Sequence, residues 1–267
     1  MLDVTKDTMM PTNDWHSIIA AESHLSPDAA RQLRDIGFVV MPGPVIPGGC
    51  EQLSDAYDRA VAMADPADIH IGSSTRIDDF VNRGPEFDGI YIYPPLLAAC
   101  CQIIGEPFKL SGMRARTLNP GAPAEGLHVD VKHRANGWPL VGCILMVDAF
   151  DAENGATRFV PGSHLQSREP SEVMNNPQDA HDKQVLACGP AGSIIIFNAS
   201  AWHGHGANRS GRPRRSIQAH FVRREAQASP ADHSGRMRPE TVQRLGDLAK
   251  YVLNVGNVSQ IVGREPR

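Results

Sequence analysis

Apolar positions along the chain follow two regimes. In the first third they recur at helical spacing: Leu53, Ala56, Tyr57, Ala60 and Val61 form a stripe that predicts a helix running to about Met63. Ser26-Pro27-Asp28 supplies a serine N-cap and a proline at the first helical position, and Gly37 ends that helix. Phe38-Val39-Val40-Met41-Pro42-Gly43 reads as a short strand stopped by a Pro-Gly turn. Pro94 to Ile104 returns to helix, with Gly105 as its stop. Between them, Asp65 to Tyr93 has no clear period and is rich in Asp, Arg, Gly and Ser, which predicts a functional loop. Residues 1 to about 15 are expected to form a loosely packed arm.

Beyond Pro107 the pattern changes to short extended runs. Phe108 to Leu118 is the first, ended by Asn119-Pro120-Gly121, and an extended stretch around His128 follows. Pro139 to Phe150 is a longer apolar run, after which Glu153-Asn154-Gly155 predicts a hairpin turn back into Thr157 to Val160. Residues 165 to 183 read as a loop, and the runs 184–188, 193–198 and 216–224 complete the set. Roughly seven or eight short strands after a helical third predict a mainly β fold, a jelly-roll or double-stranded β-helix barrel with flanking helices. The expected layout is one domain over 1–267, with helical support over 15–105, the barrel core over 106–225 and a C-terminal helix over 238–254. Val242, Leu245, Leu248, Val252 and Leu253 share one face of that last helix. It packs on the barrel in the simplest reading, and a homo-oligomer contact is the alternative.

Composition narrows the partners. A formal net charge of −4 and an aromatic share of 6% argue against nucleic acid, which calls for a basic surface and stacking platforms. No run approaches the eighteen or so apolar residues of a membrane span, and the N-terminal stretch lacks a basic start with an apolar run, so neither membrane nor export is expected. Five cysteines, two of them adjacent and none in a C-x-x-C pair, suggest reduced thiols in a cytoplasmic protein. A small-molecule substrate is the partner that remains.

The chemistry centres on Gly126-Leu127-His128-Val129-Asp130. In extended backbone alternate side chains share a face, so His128 and Asp130 can reach one metal ion. A His-x-Asp triplet is common by chance, and most are a surface histidine beside a solvated acid. His203, in Ala201-Trp202-His203-Gly204, is the third candidate, and two histidines with one carboxylate suit a non-haem iron(II) ion with open positions. A cupin-type metal isomerase or hydrolase and a catalytically silent small-molecule binding protein are the alternatives. Cupins gather His-x-His and a following Glu early in the fold, whereas His203-Gly204-His205 comes late and lacks the Glu.

His128-Val129-Asp130, Glu153-Asn154-Gly155-Ala156-Thr157, Val160-Pro161-Gly162-Ser163-His164 and Trp202-His203-Gly204-His205-Gly206-Ala207-Asn208, followed by Arg214, resemble the phytanoyl-CoA dioxygenase-like family of iron(II)/2-oxoglutarate oxygenases. Asp35-Ile36-Gly37-Phe38-Val39-Val40 matches the family's usual opening, so the resemblance covers most of the chain. It implies iron(II) on His128, Asp130 and His203, with 2-oxoglutarate and O2 as cosubstrates and succinate and CO2 as products. It puts Arg214 where the far carboxylate of 2-oxoglutarate is gripped, with Thr117 and His205 as further cosubstrate contacts. Relatives that halogenate carry a small residue in place of the acid, so Asp130 implies hydroxylation or a related oxidation. Arg76, Arg83, Arg114, Arg116, Arg134 and Arg158 lie in segments bordering the expected mouth. They suggest an anionic substrate, with Arg76, Arg83 and Arg116 as candidate contacts, unless acids such as Asp78, Asp79 and Glu86 pair with them. His133 and His164 read as structural.

Overall fold

Period-2 burial and cross-strand pairing account for most of the architecture. The computed structural model describes residues 12–132, 137–226 and 236–255. Its strands are β1 (Phe38–Pro42), β2 (Ile69–Ile71), β3 (Ser74–Ile77), β4 (Phe108–Leu118), β5 (Leu140–Met146), β6 (Thr157–Phe159), β7 (Val185–Ala187), β8 (Ser193–Asn198), β9 (His203–His205) and β10 (Arg214–Arg223). Its helices are α1 (Thr12–Glu22), α2 (Pro27–Asp35), α3 (Gly49–Ala62), α4 (Asp88–Tyr91), α5 (Pro94–Ile104), α6 (Pro170–Val173), α7 (Pro239–Arg244) and α8 (Asp247–Val252). A seven-stranded antiparallel sheet in the order β1-β8-β5-β10-β4-β3-β2 faces a three-stranded sheet, β7-β6-β9.

Each face of the large sheet has its own job. On β5, β8 and β10, Leu145, Ile194, Ile196, Ile217, Ala219 and Phe221 join a core with Leu53 and Tyr57 of α3 and Leu96, Leu97 and Ile103 of α5. The alternate residues Ile144, Met146, Ile195 and Phe197 point between the sheets and meet Phe159 of β6. Because β8 is sandwiched on both faces, all of Ser193–Asn198 is buried and its sequence shows no alternation. Burying one such Ile or Phe contributes about 1.5–3 kcal/mol, so this double core dominates the fold's stability. Gly142 is required here, because a Cβ on it would meet the Phe197 ring across the strand pair at 2.2 Å.

The helices at 27–35 and 94–104 and the strand at 38–42 lie where the pattern puts them, with Ser26 Oγ accepting from Ala29 N–H as the cap. Other expectations need correction. The aperiodic 65–93 segment carries the β2–β3 hairpin, which extends the large sheet at β4, followed by three short helical turns. The Glu153-Asn154-Gly155 turn does not return the chain onto β5; it moves it into the small sheet, where β6 pairs with β7 and β9. His128 and Asp130 lie in irregular backbone held by a single bridge to His203 rather than in a regular strand. The C-terminal helix is two short ones, broken at Leu245-Gly246, with Val242, Leu245 and Val252 buried against the chain itself. The end of the expected N-terminal arm, residues 12–15, belongs to helix α1, whereas residues 1–11, His133 and Arg134 lie outside the described residues. Among the described residues one helical stretch, Pro85–Ile104, is long and apolar enough to cross a membrane, and 56% of it is buried inside the protein, as in a core helix.

Candidate active site

Between the sheets opens a cavity of about 210 Å³ lined by residues of β3, β4, β5, β6, β8, β9 and β10 and by the 125–130 segment. The phase of β10 decides much of its wall: Arg214, Gln218 and His220 line it, while Ile217, Ala219 and Phe221 turn to the helices. On β4 the same alternation sends Arg114 and Arg116 inward.

His203 sits opposite Phe159 in the β6–β9 register, and its ring lies 5.6 Å from Phe159 and 4.9 Å from Phe197 between ring centroids. His128 faces it through reciprocal backbone bonds, each N–H donating to the other's carbonyl at 2.9 Å. Asp130 is fixed by its N–H donating to Ala199 O at 2.9 Å. The backbones come this close because residue 204 is glycine: a Cβ there would meet the carbonyl oxygens of Gly126 and Glu125 at 2.9 and 3.0 Å.

Both imidazoles have their tautomer set. Nδ1–H of His128 donates to Gly126 O at 3.0 Å and Nδ1–H of His203 donates to Ala201 O at 2.9 Å, which leaves each Nε2 with a free lone pair. Those two nitrogens lie 3.9 and 3.6 Å from the Asp130 carboxylate oxygens, and the three donor atoms lie within 4.8 Å of one another. A divalent ion with bonds of about 2 Å spans such separations. Burial holds the His203 pKa down, which favours its neutral form. Burial opposes ionisation of Asp130, but His203, His220 and His128 outweigh it and hold the carboxyl well below the usual range.

Arg214 is the deepest charge of the wall, 2% exposed. Its Nη1 donates to Gly155 O at 3.0 Å, its guanidinium carbon lies 4.0 Å from the Phe150 ring centroid, and its Nε is buried without a partner. Burial, reinforced by the charge of Arg116, pulls its pKa down to about 9. A guanidinium this poorly compensated calls for an anion.

The remaining predicted residues divide. His205 lines the cavity, donates Nδ1–H to Gly206 O at 2.8 Å and is lowered to about 4 by burial, so it is neutral. Arg76 and Arg116 also line the cavity. Thr117 does not: it is one residue out of phase with Arg116 and its hydroxyl bonds the Tyr57 hydroxyl at 2.9 Å, on the helix side of the sheet. Thr157, opposite His205 in the β6–β9 register, is the threonine that lines it. Arg83 is also placed elsewhere, buried in an ion pair with Asp68 at 2.5 Å. Arg158 is structural, donating to the Glu125 carbonyl and to Gln184.

Sequence reasoning missed Glu125 and His220. His220 Nε2 lies 3.5 Å from Asp130 Oδ2, and counting forward from Arg214 in steps of two would have found its face. Glu125 receives Arg116 at 3.3 Å on both oxygens and stands near Arg76 and His205; despite burial, which raises it, Arg116 brings its pKa to about 2.

The phytanoyl-CoA dioxygenase (PhyH) family profile matches residues 33–216, more than half of the chain. The chain belongs to the phytanoyl-CoA dioxygenase family. The dioxygenase trt7 of Aspergillus terreus is 28% identical over 210 residues, covering 71% of this chain and 70% of that protein. The dioxygenase cdmA of Talaromyces verruculosus is 31% identical over 143 residues, covering 48% of this chain and 47% of that one. The α-ketoglutarate-dependent carbocyclase SnoK of nogalamycin biosynthesis shares the fold, with TM-score 0.64, 18% identity and coverage of 81% of this chain and 92% of that one. HygX of Streptomyces hygroscopicus, solved with nickel and 2-oxoglutarate, aligns with TM-score 0.59 and 13% identity over 77% of this chain and 90% of that chain. This family member is a non-haem iron, 2-oxoglutarate-dependent dioxygenase on a jelly-roll barrel, a reading favoured over the cupin-type and silent-binder alternatives.

Proposed function

We propose that His128, Asp130 and His203 hold the iron(II) ion and that Arg214 receives the far carboxylate of 2-oxoglutarate, for hydroxylation of a C–H bond of a small molecule. The observation that carries this reading is the pairing of two free Nε2 lone pairs aimed at Asp130 with a buried guanidinium that lacks a counter-anion on the same cavity wall. Bound iron(II) with 2-oxoglutarate supplies the oxidising power: one oxygen atom of O2 ends in succinate as CO2 leaves, and the other becomes the substrate's hydroxyl.

The chain's own groups do the arranging. Asp130 stays ionised as an acceptor and Arg214 offers parallel N–H donors to a carboxylate. Thr157 replaces Thr117 as the hydroxyl beside the cosubstrate, with His205 next to it as a neutral wall. Ile144 and Phe197 give the cavity apolar wall. The arginines around the mouth favour an anionic substrate, and five unpaired cysteines fit a cytoplasmic setting.

The test is anaerobic titration of metal-free protein with Fe(II) and 2-oxoglutarate, following the weak visible charge-transfer band of a chelated keto acid. The band is expected in wild type, lost in His203→Ala, and displaced to much higher 2-oxoglutarate in Arg214→Ala. A folded, iron-loaded wild type without the band would overturn the reading.

A further inference from the structure

We propose that Arg76 and Arg114 form the binding site for an anionic group of the substrate, a carboxylate or a tetrahedral oxyanion, at the mouth of the cavity. This rests on the reading that the inner cavity holds iron(II) and 2-oxoglutarate.

Charge balance is the first argument. Four arginines, Arg76, Arg114, Arg116 and Arg214, line the cavity against two carboxylates, Glu125 and Asp130. A divalent metal with Asp130, and a 2-oxoglutarate dianion with Arg214, cancel to zero. Three guanidiniums then face one carboxylate in a space partly shielded from water, and an anion is what restores balance. Asp78 offsets Arg114 from outside the cavity lining, which leaves one positive charge in excess.

The second argument is which guanidiniums are free to act. Arg116 is committed: its Nε donates to Ser74 Oγ at 3.2 Å, both Glu125 oxygens stand 3.3 Å from its Nη2, and its side chain is only 10% exposed. Its role is to hold Glu125. Among the described residues Arg76 and Arg114 have only long ion pairs, 3.7 Å to Glu125 and 3.5 Å to Asp78, with side chains 41% and 27% exposed. Such loose pairs leave most of each planar fork unused.

Register supplies the third. Arg76 of β3 pairs directly with Arg116 of β4, so Arg114, two residues along on the same face, is its diagonal neighbour. Diagonal cross-strand positions stand about 7 Å apart, within reach of two long side chains converging on one oxyanion. Gln218, opposite Arg114 in the β10–β4 register and also lining the cavity, adds a neutral hydrogen-bonding group beside them. The substrate is therefore one whose anionic end stays at the β3–β4 mouth while its reacting carbon points inward to His128 and His203.

The experiment titrates wild type, Arg76→Gln and Arg114→Gln, each loaded anaerobically with Fe(II) and saturating 2-oxoglutarate, with sodium sulfate and sodium acetate. Sodium chloride at matched ionic strength is the control, and the readouts are the charge-transfer band and the melting temperature. A sulfate- or acetate-dependent shift beyond chloride in wild type, with the Kd raised at least tenfold in each variant, supports the proposal. The stronger anion then tells a tetrahedral group from a carboxylate. Three results overturn it: no response beyond chloride in wild type, equal affinity in the variants, or displacement of 2-oxoglutarate with loss of the band, which would put the anion on Arg214. A wild type that never shows the band, before any anion is added, would instead fail the reading of the inner site and remove the basis of this one.

Discussion

Arg214 stacks on Phe150 with its guanidinium carbon 4.0 Å from the ring centroid, and that face-on contact stands where a carboxylate would usually compensate a buried arginine. Cation–π attraction and one backbone carbonyl only partly offset its desolvation. Arg214→Met should therefore raise the melting temperature of the protein without 2-oxoglutarate, by the equivalent of about 1 kcal/mol or more. The same change should weaken 2-oxoglutarate binding about a hundredfold or more, since a charge pair buried in the complex is broken. Calorimetric melting with and without the keto acid checks both signs at once.

Thr117 and Thr157 should separate cleanly. Thr157→Val, on the cavity wall, is expected to raise the KM for 2-oxoglutarate about tenfold, the loss of one hydrogen bond to a charged group. Thr117→Val removes the partner of the buried Tyr57 hydroxyl and should cost about 1–3 kcal/mol of stability with little change in that KM. Steady-state kinetics beside chemical denaturation would show a reversed assignment immediately.

Gly204→Ala forces a methyl against the Gly126 and Glu125 carbonyls and so spreads the two histidine-bearing segments. The Fe(II) dissociation constant should rise on the order of ten- to a hundredfold, the range seen when groups supporting a metal ligand are disturbed. Gly89→Ala, where a Cβ meets nothing within 4 Å, is the matched control and should bind iron normally.

His164 carries a pH signature. It is 1% exposed, its Nε2–H donates to Arg34 O at 3.1 Å, and burial lowers its pKa. The folded pKa lies below the unfolded value of about 6.5, so below that pH the unfolded chain takes up the proton first and stability falls with acidity. In His164→Gln the slope of stability against pH just below 6.5 should flatten, by up to about 1.4 kcal/mol per pH unit. Denaturant melts from pH 7 to 5 measure it; an unchanged slope would show that His164 is not held neutral.

How much of this was legible in the sequence depended on whether a residue's role is local. The helix start at Ser26-Pro27 is a local signal and lies where it was read, and the His128-x-Asp130 pair, also local, stands with His203 in one cluster of donor atoms. Arg214 and His203 are set by a family motif and proved to share one cavity with them. Thr117 was misplaced because a strand has two faces and one residue of phase separates Arg116, on the cavity side, from Thr117, on the helix side. Arg83 was misplaced because its partner, Asp68, lies across an aperiodic segment that offers no pattern to read. The face of His220 follows from two-residue steps along β10, but its approach to Asp130 is a property of the assembled fold and not of any stretch of sequence.

The reciprocal backbone bonds between His128 and His203 have a further consequence. The two segments are stitched by their main chains, and each ring is locked by a carbonyl two residues behind it. On the proposed assignment the ion would be a replaceable insert in a finished socket: the empty protein should be as folded as the loaded one, survive a chelator, and take up a divalent ion again. Its chemistry, unlike its shape, is decided at reloading.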